Sequence, residues 1–274
     1  MDLNQSKVSS NISAIEQMYA QAGVGDPHDA DVTSLEDFVT IVHGDLGTYE
    51  KVLSALRRRS VEDNEYNRLQ GVVFAIGLFH FKMAAADAIW RIYMTNAKSR
   101  TDSTSFGRIL GKLRPQDSSR LIANAKFRQQ HELIYHILTV LQLDCWRIEV
   151  HRRTGFASLE EWAASKPALA DIEEIADYLS CHYLEGEYEV DLFKMQCQRK
   201  EHRDEERRNI MRTHHHLLLY LELCYALNAG DIGRFESLVP PWIQIFRATG
   251  KHKYGNYTLR FMHSLYFIYP ERLR

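Results

Sequence analysis

Two short apolar runs constrain the fold of this chain most strongly, because each passes directly into a helical pattern. The first run, residues 38–43, reads FVTIVH, and the second, residues 71–76, reads GVVFAI. Both are rich in β-branched residues and a glycine follows each, which is typical of short buried strands. A short strand–helix–strand connection places sequential strands side by side and parallel. The sequence therefore predicts a small parallel sheet covered by helices.

Beyond about residue 98 the chain carries only helical signals. Amphipathic spacing predicts a long helix over residues 127–153, and Ser158 and Glu161 stand at capping-box spacing before the next helix. We therefore expect a mainly α protein with a small α/β portion near the N-terminus, followed by a large helical region. The expected divisions are an N-terminal helix and loop over 1–34, the α/β portion over 35–98 and the helical region over 99–274.

Composition limits the classes of function. The net charge of −2 gives no overall basic signal for nucleic acid, although a local basic groove is compatible with it. No apolar run approaches the roughly 20 residues that cross a bilayer, and the polar N-terminus lacks a secretion signal. The four cysteines form no CxxC pair and are typical of reduced thiols. We expect an intracellular protein, nuclear or cytoplasmic, with no membrane partner.

Asp45 is the leading candidate for a functional residue. It follows the first strand run and Gly44 directly, so a rigid scaffold would hold its carboxylate as divalent-metal chemistry requires. His80 lies just after the second run, and ligands gather at the carboxyl ends of parallel strands. Asp45 is thus a candidate catalytic and metal-binding residue, and His80 a candidate metal ligand. Both have structural alternatives, since Asp45 could cap the helix over 48–56 and His80 could be a core histidine.

Other patterns give little support for chemistry. His214, His215 and His216 are consecutive, and side chains about 100° apart on a helix cannot converge on one ion. The mixed-charge stretch 194–212 is typical of a solvated helix or linker. GxGxxG, GKS/T, HExxH and GxSxG are absent from the sequence, so nucleotide-binding and nucleophilic enzymes lack support and no organic cofactor is expected.

Several long blocks from about residue 35 to the C-terminus carry a resemblance to a known family. They are VHGDLGTYEKV, VVFAIGLFHFKMAAADAIWR, LRPQD, DCWRIE, SLEEWAASKP, GDIGRFE and IFRATGKHKYGNYTLRFMHSLYFIYPERLR. In this order the blocks resemble a domain of unknown function that is abundant in mushroom-forming fungi. Members of that family look like relics of DNA transposases with an RNase H-like core, so the resemblance implies a partial RNase H-like sheet near the N-terminus.

The resemblance also implies a chemistry. RNase H-like transposases hold two Mg²⁺ ions with three carboxylates, and Asp45 matches the position of the second acid. The first acid normally lies on a strand meander, for which the residues before Val39 leave little room, and the third lies downstream of the YPERLR block. We therefore expect no acid from residues 1–35 to face Asp45. Mg²⁺ or Mn²⁺ would be a cofactor only if the acidic site is complete.

Two functional interpretations follow from these features. The first is a transposase-derived domain, here a fragment or domesticated remnant, that is catalytically incomplete and has DNA as its partner. If it were active, it would be a Mg²⁺-dependent transposase or nuclease. The alternative is a helical module that binds protein or nucleic acid without catalysis.

A separate expectation concerns the core, where large aromatic side chains on apolar helix faces should be mostly buried. They are Trp90, Trp146, Trp242, Phe246 and Tyr254.

Overall fold

The computed structural model describes residues 4, 6–25, 32–33, 35, 38–94, 104–183, 193–195 and 197–273. The chain divides into two compact units, and the first combines Met1–Ala84 with Trp242–Arg274. The second unit is the intervening segment, Ala85–Pro241. Both boundaries fall inside helices, so each unit shares two helices with the other.

The first unit contains the sheet and the helices around it. Its elements are α1 (Val8–Ala22), β1 (Thr40–Gly44), α2 (Leu46–Arg59), α3 (Glu65–Arg68), β2 (Val72–Ile76), the start of α4 (Leu78–Tyr93), the end of α11 (Ile232–Ala248), α12 (His252–His263) and a π-helical turn (Ser264–Ile268).

Strands β1 and β2 are parallel neighbours, paired from Thr40 with Val72 to Gly44 with Ile76. The predicted small parallel sheet is thereby confirmed, with its first strand starting two residues later than expected. The amide of Gly77 donates to the carbonyl of Gly44 at 2.9 Å and extends the pairing to the ends of both strands. A Cβ atom on Gly77 would lie 2.7 Å from the Gly44 carbonyl oxygen, so this close approach requires glycine.

The two strands differ in burial. In β2 the side chains of Val72, Phe74 and Ile76 are buried and alternate with half-buried residues. In β1 none of the five residues is buried, and Ile41 is 55% exposed. The expectation of a buried strand was therefore wrong for β1. Parallel sheets normally have both faces covered, and the described residues leave the Ile41 face of this sheet largely open.

Aromatic side chains form the core of the first unit. Phe81 in α4 and both Trp242 and Phe246 in α11 are fully buried. The rings of Phe81 and Phe246 meet edge to face, 5.1 Å apart between centroids. Apolar residues at helical spacing thus build a contiguous cluster from parts of the chain that are distant in sequence.

Helices joined by short loops make up the second unit over its described residues. Its elements are the end of α4, α5 (Phe106–Leu113), α6 (Ser118–Asn124), α7 (Phe127–Thr154), α8 (Leu159–Ala164), α9 (Leu169–Tyr183), a 3-10 turn (Lys200–His202), α10 (Glu205–Ala229) and the start of α11. Helices α7 and α10 end at Gly155 and Gly230, which adopt the left-handed conformation that glycine favours at this position. The mainly α fold with a small α/β part is confirmed. None of the helices in the described ranges is both long and apolar enough to span a bilayer.

None of the five aromatic residues expected in the core is exposed, and three of them are buried. Trp90, Trp242 and Phe246 are buried, whereas Trp146 and Tyr254 are half-buried. Trp146 packs at the margin of a small cluster formed by α7, α8 and α9, with Val150, Trp162, Ile175 and Leu179 at its centre. A helical apolar face therefore identified the packed side of α7 but not how deeply each ring would be covered.

Candidate functional site

Asp45 occupies the junction between β1 and α2. Its backbone is extended and its side chain caps α2, since Oδ1 accepts a hydrogen bond from the Thr48 amide at 2.7 Å. Asparagine, serine and aspartate are the residues that best satisfy the free amides at a helix start. The capping interpretation of Asp45 is confirmed. A carboxylate offers about four lone-pair positions, so the cap leaves room for a further contact.

The surroundings of Asp45 favour its charged form. The hydrogen bonds from the Thr48 amide and hydroxyl lower the pKa of the Asp45 carboxyl most strongly, burial partly opposes them, and an electrostatic interaction with His80 lowers the pKa further. The side chain is exposed, so little desolvation opposes ionisation. Asp45 is therefore an accessible carboxylate at neutral pH, located at the carboxyl end of a strand.

His80 lies near Asp45 because the two strand ends are bonded together. It belongs to the first turn of α4, directly after β2, and is half-buried beside the ring of Phe79. The Gly77–Gly44 hydrogen bond joins the two strand-to-helix junctions. The structure thus brings together the two residues that sequence reasoning selected, close enough to interact electrostatically.

A third residue near Asp45 was missed by sequence reasoning. The pKa of the Tyr254 phenol is raised, first by burial and then by the negative charge of Asp45. Tyr254 belongs to α12, in the C-terminal segment that forms part of the first unit. No local pattern connects a tyrosine on a late helix to an early strand end, so only the folded chain identifies this neighbour.

The described residues limit what this site can hold. Among them, no group of three or more His, Cys, Asp or Glu side chains is arranged to bind a metal ion. We expected no acid from residues 1–35 to face Asp45. Three of the acids concerned, Asp26, Asp29 and Asp31, lie outside the described residues. Asp45 and His80 together could supply two ligands.

The histidine run in α10 has a packing role. The side chain of His214 is buried, and burial lowers its pKa. A hydrogen bond of 2.7 Å joins Nδ1 of His216 to the hydroxyl of Tyr93 within the second unit. Burial, followed by the charges of His215 and Arg212, lowers the pKa of His216 to about 4. His214 and His216 therefore contribute to the packing of α10 within the second unit.

Comparison with known proteins gives one match. The model of a family described as "Family of unknown function (DUF6589)" matches residues 1–274. No match was found among curated proteins or among solved structures. Since the family model spans the whole chain, this protein belongs to the family of unknown function DUF6589.

Proposed function

We propose that this chain is a transposase-derived domain with a partial RNase H-like sheet, that DNA is its partner, and that it is catalytically incomplete. The observation that carries the proposal is the parallel β1–β2 pair with Asp45 at its carboxyl end and His80 beside it. In RNase H-like enzymes, carboxylates at this edge of the sheet hold the divalent ions. The resemblance of the block that contains Gly44 and Asp45 implies that Asp45 occupies such a position.

The side chains at this edge suit one weak ion position. Asp45 is ionised and accessible, and it retains lone pairs beyond its bond to Thr48. A Mg²⁺ or Mn²⁺ ion there would supply positive charge to polarise a phosphate oxygen or a bound water. Two ions need several bridging carboxylates, and among the described residues no three His, Cys, Asp or Glu side chains are grouped so that they could hold a metal ion. Asp45 alone would orient an ion loosely, since Mg²⁺ gives up its waters reluctantly.

The second candidate function is a helical interaction module without metal chemistry. It is favoured by exposed Ile41 in β1 and by exposed Phe38 and Val39 just before the strand, since exposed apolar side chains at a sheet edge suit contact with another chain. Both candidates agree with the helical second unit. They differ in whether the carboxylate of Asp45 does anything other than cap α2.

A titration with Mn²⁺ distinguishes the two candidates. Bound Mn²⁺ broadens nearby proton resonances, so we expect the ring signals of His80 to broaden at lower Mn²⁺ concentration in the wild type than in Asp45→Ser. Serine can still cap α2 but has no carboxylate, so the two proteins should differ in metal binding and not in helix stability. With one carboxylate, half-maximal broadening is expected at millimolar Mn²⁺.

Asp231 provides the matched control. Its Oδ1 accepts from the Arg234 amide at 2.9 Å at the start of α11, so it is a second helix-capping aspartate. Asp231→Ser should leave the His80 response to Mn²⁺ unchanged. Equal broadening in the wild type and in Asp45→Ser would remove the support for a metal-binding Asp45 and favour the interaction module.

A further inference from the structure

A cavity of about 330 Å³ lies within the first unit, between α2, β2 and the segment from α12 to Tyr269. This volume is at the lower end of the range for small-molecule sites. Asp45 and His80 are not among its lining residues, although Tyr49, one helical turn after Asp45, forms part of the wall. The cavity is therefore distinct from the strand-end site.

Five aromatic rings line this cavity. Tyr49 and Phe74 lie 5.3 Å apart between ring centroids, and Tyr257 meets Tyr49 edge to face. Phe261 and Tyr269 complete the aromatic set. Flat rings held at these mutual angles present both faces and edges, and they favour a planar aromatic guest over a flexible aliphatic one.

One cation lines the same cavity. Arg260 is exposed, and among the described residues it forms no ion pair with a carboxylate. Lys253, which is two turns earlier on α12, differs from Arg260 because it forms an ion pair with Glu50 at 2.7 Å. No aspartate or glutamate is found among the cavity's described lining residues. The guanidinium is thus available to an anion, and it binds carboxylate and phosphate well.

Two phenols of the cavity, Tyr257 and Tyr269, add no negative charge. Burial, followed by the neighbouring Tyr49, raises the pKa of Tyr257, and burial also raises the pKa of Tyr269. Both phenols are therefore neutral at physiological pH. The side chain of Gln70 adds a neutral donor and acceptor to the lining. The cavity combines aromatic rings, valine and leucine side chains, neutral polar groups and, among the described lining residues, a single cation.

We propose that this cavity binds a small molecule with a planar aromatic ring and one anionic group, the ring among the tyrosine and phenylalanine side chains and the anion at Arg260. The proposal does not depend on the function of Asp45. Arg260 would act as the anion contact, and the aromatic walls would select a flat ring by shape.

Titration of the full chain with 1-naphthoate, followed by NMR, tests this proposal. We expect saturable 1:1 binding with a Kd of about 1 mM, the affinity that a ligand of this size reaches at ordinary efficiency. Shifts should concentrate on β2 and α12. Neutral 1-naphthalenemethanol should bind about tenfold more weakly, because it lacks the charge that the guanidinium contacts. Octanoate, an aliphatic anion, should also bind more weakly than 1-naphthoate.

Three variants assign the binding to this cavity. Arg260→Gln should weaken 1-naphthoate about tenfold, and Arg260→Lys should restore part of the loss. Arg58→Gln, an exposed arginine on α2 outside the cavity lining, should have no effect. Leu56→Trp places a larger side chain in the cavity wall and should abolish binding while circular dichroism stays native.

Several outcomes would overturn the proposal. Absence of saturable 1-naphthoate binding to the wild type would do so, as would equal affinity in Arg260→Gln and the wild type. Equal affinity for 1-naphthoate and the neutral alcohol would remove the role of the anion. Equal affinity for octanoate would remove the role of the aromatic ring. Loss of Mn²⁺ binding in Asp45→Ser bears on none of these results.

Discussion

Phe246→Ala is expected to lower the free energy of unfolding by about 3–5 kcal/mol, the usual loss when a large buried ring is removed. Phe246 is fully buried. Its ring lies 5.1 Å from Phe81, 5.7 Å from Trp242 and 5.7 Å from Tyr254. Truncation would leave a cavity among three aromatic neighbours that cannot collapse without moving α4, α11 or α12. Equilibrium urea unfolding followed by circular dichroism measures the loss.

Phe267→Ala is the matched control for that prediction. The same side chain is 77% exposed at this position, so the substitution should change stability by less than about 0.5 kcal/mol. Similar losses in the two variants would show that burial of Phe246 does not determine the effect. A loss below about 1 kcal/mol in Phe246→Ala would place that ring outside the packed core.

Glu149→Gln is expected to destabilise the second unit by about 1–3 kcal/mol at pH 7, the range for hydrogen bonds to charged groups. The Glu149 carboxylate is buried in α7, and its oxygens accept from Arg152 at 2.6 and 2.8 Å and from Arg153. The Arg152 side chain is 58% exposed, so solvent screening places the effect in the lower part of this range.

The pH dependence of Glu149 follows from its lowered pKa. Hydrogen bonds from Arg152, with those from Arg153, lower the pKa of Glu149 from 4.5 to about 2 in the folded protein. A carboxyl whose folded pKa lies below its unfolded value stabilises the protein above the unfolded value. That contribution should decline as pH falls from about 4.5 to 2. The stability difference between the wild type and Glu149→Gln should therefore shrink over this interval.

Thermal unfolding at a series of pH values measures this difference. Glu173→Gln makes the same charge change at an exposed position of α9. Its free energy of unfolding should differ little from that of the wild type at every pH. A gap between the wild type and Glu149→Gln that stays constant from pH 7 to pH 2 would show that the arginines do not stabilise the ionised carboxylate.

Local sequence patterns predicted the elements that local interactions determine. The β-branched run at Val72–Ile76 formed a strand and paired in parallel with the earlier run, because a short crossover restricts the topology. The Ser158 hydroxyl accepts from the Glu161 amide at 3.1 Å, as the capping spacing indicated. The proximity of Asp45 and His80 also followed from local patterns, since both lie directly after paired strands.

Features that depend on distant contacts were not predictable in this way. The return of Trp242–Arg274 to the first unit leaves no periodic signal, and this segment brings Tyr254 near Asp45 and supplies one side of the aromatic cavity. The exposure of Ile41 was missed for a related reason. An apolar strand has the same composition whether or not another element covers its face.

The proposal that the carboxylate set at Asp45 is incomplete is tested most directly by a DNA cleavage assay. The full chain is incubated with supercoiled and linear DNA in Mg²⁺ or Mn²⁺, beside Asp45→Ser and the capping control Asp231→Ser. One carboxylate cannot position two ions for in-line attack on a phosphodiester. We predict that the wild type cleaves no more DNA than Asp45→Ser with either ion. Metal-dependent cleavage by the wild type and by Asp231→Ser, but not by Asp45→Ser, would contradict the proposal and identify Asp45 as part of a complete active site.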